Sequence, residues 1–133
     1  MSDENPEDDP LDNIFVDGDA INREMVSNLL EPYLQIDQDS GSFYPTDGYK
    51  DLNSEERILV TLTAQKAKEI RGVIESSTVG PSEISNLSGV KEGTVKPGVR
   101  DLADEGLITD ADGGYTIGGP QLQQAAERLL SDE

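Results

Sequence analysis

Apolar positions recur along the chain with periods that change from segment to segment. Ile21, Met25, Val26, Leu29 and Leu30 fall at i, i+4, i+5, i+8 and i+9, which predicts a helix over 20–31, stopped by Pro32. Two short β-like runs, Tyr33-Leu34-Gln35-Ile36-Asp37 and Ser42-Phe43-Tyr44, flank Gln38-Asp39-Ser40-Gly41 and predict a small hairpin. Asn53 reads as an N-cap with Glu56 three residues on, the spacing of a capping box. The helix it opens carries Ile58, Leu59, Leu62, Ala67, Ile70, Val73 and Ile74 as its stripe. Gly72 weakens its end, and residues 76–80 read as a loop. Pro81 can open a short helix over 82–87 bearing Ile84 and Leu87, and Gly89 suits a tight turn with positive φ. A second helix follows over 92–105, with Val95, Val99 and Leu102 as a narrow buried face and Gly106 at its C′ position. Leu107-Ile108-Thr109 and Tyr115-Thr116-Ile117 are short β-runs joined by residues 110–114, a Gly/Asp-rich hairpin signal. Pro120 opens a last helix with Leu122, Ala125, Ala126, Leu129 and Leu130 on one side.

Composition narrows the chemistry. The 133 residues contain no Cys, His or Trp, which excludes disulfides, Cys/His metal centres, His- or Cys-held haem and His-dependent nucleophiles. No apolar run approaches the ~20 residues of a membrane span, and residues 1–10 lack the basic-then-apolar order of a secretion signal, so a cytoplasmic protein is expected. Net charge is −18, from 10 Lys+Arg and 28 Asp+Glu. It is unevenly spread: residues 1–49 carry −12, residues 50–100 carry +1 with eight of the ten cations, and residues 101–133 carry −7. Residues 1–19, rich in Asp, Glu and Pro, are expected to be a disordered acidic tail. So acidic a chain either presents a functional acidic surface to a basic partner or, as its sparse cations among so many carboxylates suggest, resembles the proteins of extremely halophilic archaea, their viruses or plasmids. At molar salt the screening length is ~3 Å, so local placement of charge counts for more than its sum.

Helix, short helix, tight turn, helix and hairpin, in that order, resemble a winged helix-turn-helix. The resemblance rests on Ile84-x-x-Leu87-x-Gly89-Val90, Thr94-Val95-x-x-x-Val99-x-x-Leu102, Glu105-Gly106-Leu107-Ile108 and Asp112-Gly113-Gly114-Tyr115, and covers residues 54–117. It implies a small α+β fold: an N-terminal helix and hairpin over 20–53, the winged helix over 54–117 and a C-terminal helix over 118–133. It further implies a DNA-binding transcriptional regulator, as in many archaeal regulators of this form, whose second helix enters the major groove of double-stranded DNA. Opposite Val95, Val99 and Leu102, the residues Thr94, Lys96 and Arg100 then face DNA. A bidentate Arg100–guanine contact contributes ~1–3 kcal/mol of discrimination. Lys91 at the turn, Lys66, Lys68 and Arg71 on the preceding helix, and amides near Ser82 become phosphate contacts. Leu122, Leu129 and Leu130 either close the core or form the interface of a homodimer.

Some residues favour another use of the same form, a winged-helix adaptor that binds protein and not DNA. Pro97 falls inside the recognition helix and Gly98 follows it, which predicts a kink and a smooth patch between Lys96 and Arg100. The hairpin's charged residues are Asp110 and Asp112, where a DNA-binding wing offers cations. The Asp37/Asp39/Gly41 run has Gly48 where a calcium loop needs its bidentate Glu. Neither a metal, a cofactor nor an enzymatic site is expected.

Overall fold

The computed structural model describes residues 9–131, with residues 1–8 of the expected tail outside them. Its centre is a helix, α3 (Ser54–Ile70), begun by the anticipated capping box: Asn53 Oδ1 accepts from Glu56 N at 2.8 Å and Glu56 Oε1 accepts from Asn53 N at 2.9 Å. Ile58, Leu59, Val60, Leu62 and Ala64 are fully buried, as are Thr61 and Thr63. Burial on nearly every side means that α3 is a central rod, not an amphipathic surface helix. It ends before Val73 and Ile74, which the sequence stripe includes. Gly72 takes φ 78°, and its N–H and that of Val73 return to the carbonyls of Glu69 and Lys68, a complete Schellman cap.

Around α3 pack α1 (Gly18–Leu30), α4 (Pro81–Ser88), α5 (Glu92–Asp104) and α6 (Gly119–Ser131). The first begins two residues earlier than the periodicity predicts, because Asp17 caps the amides of Asp19 and Ala20. Upstream, residues 10–13 form a 3-10 turn, Pro10–Asn13, where a disordered tail is expected from sequence. Between α1 and α3 lie β1 (Leu34–Ile36) and β2 (Phe43–Pro45), an antiparallel pair in the register Leu34↔Pro45, Gln35↔Tyr44, Ile36↔Phe43. A one-turn helix, α2 (Asp47–Lys50), follows and is not apparent in the sequence pattern. Val26, Leu29, Leu30, Leu34 and Tyr49 share one core with α3, so residues 20–53 have no separate interior.

The second hairpin, β3 (Thr109–Ala111) and β4 (Gly114–Thr116), has a tighter turn than the expected 110–114. Its two turn residues, Asp112 (φ 47°) and Gly113 (φ 83°), are both left-handed, the geometry that matches strand twist. Leu107 and Ile108 precede the strand and enter the core. Tyr115 also exchanges both backbone hydrogen bonds with Val79, an isolated bridge beside the two-stranded hairpin. Gly114 permits that approach, since a Cβ there would stand 3.0 Å from the Val79 backbone. The result is a small α+β fold of helices with two-stranded hairpins.

Candidate nucleic-acid interface

The α5 sequence divides the helix cleanly. Val95, Val99 and Leu102 are buried against α3 and α4, and Lys91, Thr94, Lys96, Pro97 and Arg100 are exposed. Gly98 belongs to the inner face: a Cβ there would lie 2.9 Å from Ile58 Cδ1, so the glycine sets how closely α5 crosses α3. The expected smooth outer patch therefore reduces to Pro97. The helix runs through Pro97 without interruption, although Gly93 O loses the amide that would bond to it. Gly106 (φ 82°) ends α5 as expected, with Leu107 N donating to Leu102 O at 2.9 Å.

The turn that aims α5 is held from three directions. Gly89 adopts φ 81°, Ser85 Oγ donates to Val90 O at 2.6 Å, and Val90 N donates to Ser88 Oγ at 3.1 Å. Tyr49 Oη, from α2, donates to Ser88 O at 2.6 Å in a buried site, and burial raises the Tyr49 pKa above its usual range. The segment before α3 thus fixes the α4–α5 geometry. Sequence reasoning missed Tyr49, because nothing local ties residue 49 to residue 88.

The proposed cations separate into two groups. On α5, Lys96 Nζ lies 3.8 Å from Glu92, a loose exposed i,i+4 pair that contributes little. Among the described residues, Lys91 and Arg100 have no ion-pair partner. Glu92, Asp101 and Asp104 share the exposed side of this helix, so its surface is mixed rather than strongly basic. The α3 group is differently placed. Lys66 pairs with Glu69 at 3.0 Å and holds that carboxyl below its ordinary pKa. Lys68, expected to touch phosphate, is buried: its ammonium donates to Gly41 O at 3.1 Å and sits 4.7 Å from the Phe43 ring centre. Desolvation lowers its pKa, and Glu83 opposes that shift. Arg71 is exposed at the C-cap of α3. Lys68 thus anchors the first hairpin, a correction to its expected role, and Lys66 is largely neutralised.

The β3–β4 turn projects Asp112 into solvent and Asp110 is exposed beside it, so this hairpin carries negative charge. At the N-terminus of α4, Gly80 provides no side-chain cap and Glu83 lies in the first turn. Leu122 and Leu129 are buried in the chain's own core, which removes them as dimer contacts; the Leu130 side chain lies outside the described residues. Arg128, also on α6, is bound to Glu55 of α3 and to Glu105 at the end of α5. Among the described residues, no helix is long and apolar enough to cross a membrane.

No protein-family model matches the chain, and no solved structure matches it. A curated protein, pyrophosphate–fructose 6-phosphate 1-phosphotransferase of Mastigamoeba balamuthi, is similar at 32% identity over 112 residues. The match covers 80% of this chain and 27% of that protein, so the chain spans about a quarter of its relative's length.

Proposed function

We propose that the chain is a winged helix-turn-helix regulator that binds double-stranded DNA through α5. The observation that carries the reading is the division of that helix: Val95, Val99 and Leu102 face inward, and Thr94, Lys96 and Arg100 face solvent, with Lys91 exposed at its N-cap. A helix held rigidly by one face and offering donors on the other is what major-groove readout requires. The order of α3, α4, the Gly89 turn, α5 and the β3–β4 hairpin supports the family reading, and Val79 bridges to Tyr115 beside the hairpin. Arg100 reads a guanine edge, and Lys91, Lys96 and exposed Arg71 lie along phosphates. The similarity to a quarter of a phosphotransferase supplies no site residue here, so the reading rests on this surface.

The test is a titration of mixed-sequence and selected duplexes against wild type and Lys96→Ala/Arg100→Ala, repeated over a range of salt. Losing Arg100 is expected to cost about 1–3 kcal/mol on the preferred duplex, and losing Lys96 to reduce the salt slope by about one. Equal affinity of both proteins ends the proposal. A second reading, a protein-binding adaptor, is favoured by Asp110 and Asp112 on the hairpin and by the Lys66–Glu69 and Lys96–Glu92 pairs. Absence of DNA binding by wild type at every salt concentration leaves that reading in place.

A further inference from the structure

Ahead of α1 the chain exposes a run of large apolar side chains. Leu11 is 52% accessible, Ile14 70%, Phe15 71% and Val16 64%, in a fold that otherwise buries most of its large aliphatic residues. Scattered exposed apolar residues are ordinary, but four within six positions are a patch. They are not on a loose strand. Asp9 Oδ1 accepts from Leu11 N at 2.9 Å, Pro10 opens the 3-10 turn, and Ile14 N and Phe15 N both return to Leu11 O, at 2.9 and 3.0 Å. Asp17 then caps α1. Residues 9–15 are therefore shaped into a turn ahead of the Asp17 cap, with the apolar side chains turned to water.

Leu11 lies in the 3-10 turn, Ile14 is its C-cap and Phe15 follows it, and the two amide bonds to Leu11 O hold these three side chains within one turn of chain, close enough to enter a groove together. A preformed turn lowers the ordering entropy that such docking costs. The chemistry of the occupant follows from the charge around the anchors. Residues 1–22 contain eight carboxylates, among them Asp9, Asp12 and Asp17 next to the anchors, and no Lys or Arg. The apolar groove that a second copy of this chain would offer, lined by Met25, Leu29, Tyr33 and Ala126, has no Lys or Arg in its lining. A surface that is apolar in the middle and basic at the rim meets this segment with opposite charge, which at contact distance fixes register.

We propose that residues 11–16 are a docking motif whose Leu11, Ile14 and Phe15 enter an apolar groove, rimmed by Lys and Arg, on another protein. The motif is separate in sequence from α5, so a DNA-bound molecule of this chain can recruit its partner through the arm. This part of the inference rests on the proposed DNA binding; the docking itself does not.

The experiment places the photoreactive residue p-benzoyl-phenylalanine at position 15 of the full chain and irradiates it in lysate of the source cells, with adducts mapped to single residues by mass spectrometry. The expected adduct joins residue 15 to an apolar site flanked by Lys or Arg in a different protein. It falls about tenfold or more in Leu11→Asp/Ile14→Asp, as loss of hot-spot anchors does. It persists in Lys96→Ala/Arg100→Ala and after nuclease treatment, which separates its fate from that of the DNA reading. Absence of an adduct, a site with an acidic or neutral rim, or a yield unmoved by the double substitution overturns the proposal. So do adducts confined to this chain, for instance in the groove lined by Met25, Leu29, Tyr33 and Ala126. Because Leu11 and Ile14 are exposed, the double variant is expected to keep the wild-type melting temperature, so loss of the adduct is not loss of the fold.

Discussion

The Tyr49 hydroxyl is a small group with long reach. It crosses 39 residues of sequence to bond the Ser88 carbonyl, and its ring lies 5.3 Å from the Arg57 guanidinium. Removing the hydroxyl leaves that carbonyl in a buried site without this donor. Tyr49→Phe is therefore expected to lower unfolding free energy by about 1–3 kcal/mol, seen as a lower urea midpoint at unchanged slope. A midpoint equal to wild type would show that the Ser88 carbonyl finds another donor. Lys68 makes the complementary point. In sequence it is one more cation in a basic segment, yet Gly41, with φ 78°, brings the first hairpin so close that a Cβ there would lie 3.0 Å from Lys68 Cδ. The hairpin covers the aliphatic stem and takes the ammonium's hydrogen bond, and the charge is spent inside the molecule.

Among the elements, α5 is the one whose sequence works against its own structure. Its interior contains Pro97, which lacks an amide for Gly93 O, and still it runs unbroken from Glu92 to Asp104. Packing of Val95, Val99 and Leu102 against α3 and α4 overrides the local preference. Pro97 is exposed, so its ring contributes little to the core. Pro97→Ala restores the hydrogen bond and is expected to raise stability by about 1–3 kcal/mol, with a higher melting temperature and equal or greater helical circular dichroism. A fall in melting temperature would mean that the proline's restriction of the unfolded chain outweighs the missing bond.

At the scale of the whole molecule, α6 closes the fold. It contacts α1 and α3, buries Leu122, Ala125 and Leu129, and through Arg128 ties the start of α3 to the end of α5. Leu122→Ala is expected to cost about 2–5 kcal/mol of unfolding free energy, as other buried leucines do, and to leave the mass measured by light scattering in native buffer unchanged. A variant that becomes lighter without losing stability would return Leu122 to an interface between copies.

Local chemistry is what the sequence determined by itself. The Asn53/Glu56 capping box, the left-handed positions at Gly89 and Gly106, and the inward face of α5 depend on neighbours within a few residues, and each follows from periodicity or from the φ that glycine alone adopts cheaply. Events between distant segments were decided only by tertiary structure. Val79 forms a bridge because Tyr115 arrives beside it, Tyr49 clamps a turn 39 residues away, and Lys68 is buried because a hairpin packs on it. The residues of the arm show the same division: their i, i+3, i+4 spacing is written in the sequence, and that nothing in the rest of the described fold covers them is not. The physical reason is range. Backbone propensity and capping act over one or two turns, and a side chain's burial or partner is set by whichever distant segment the packed core brings against it.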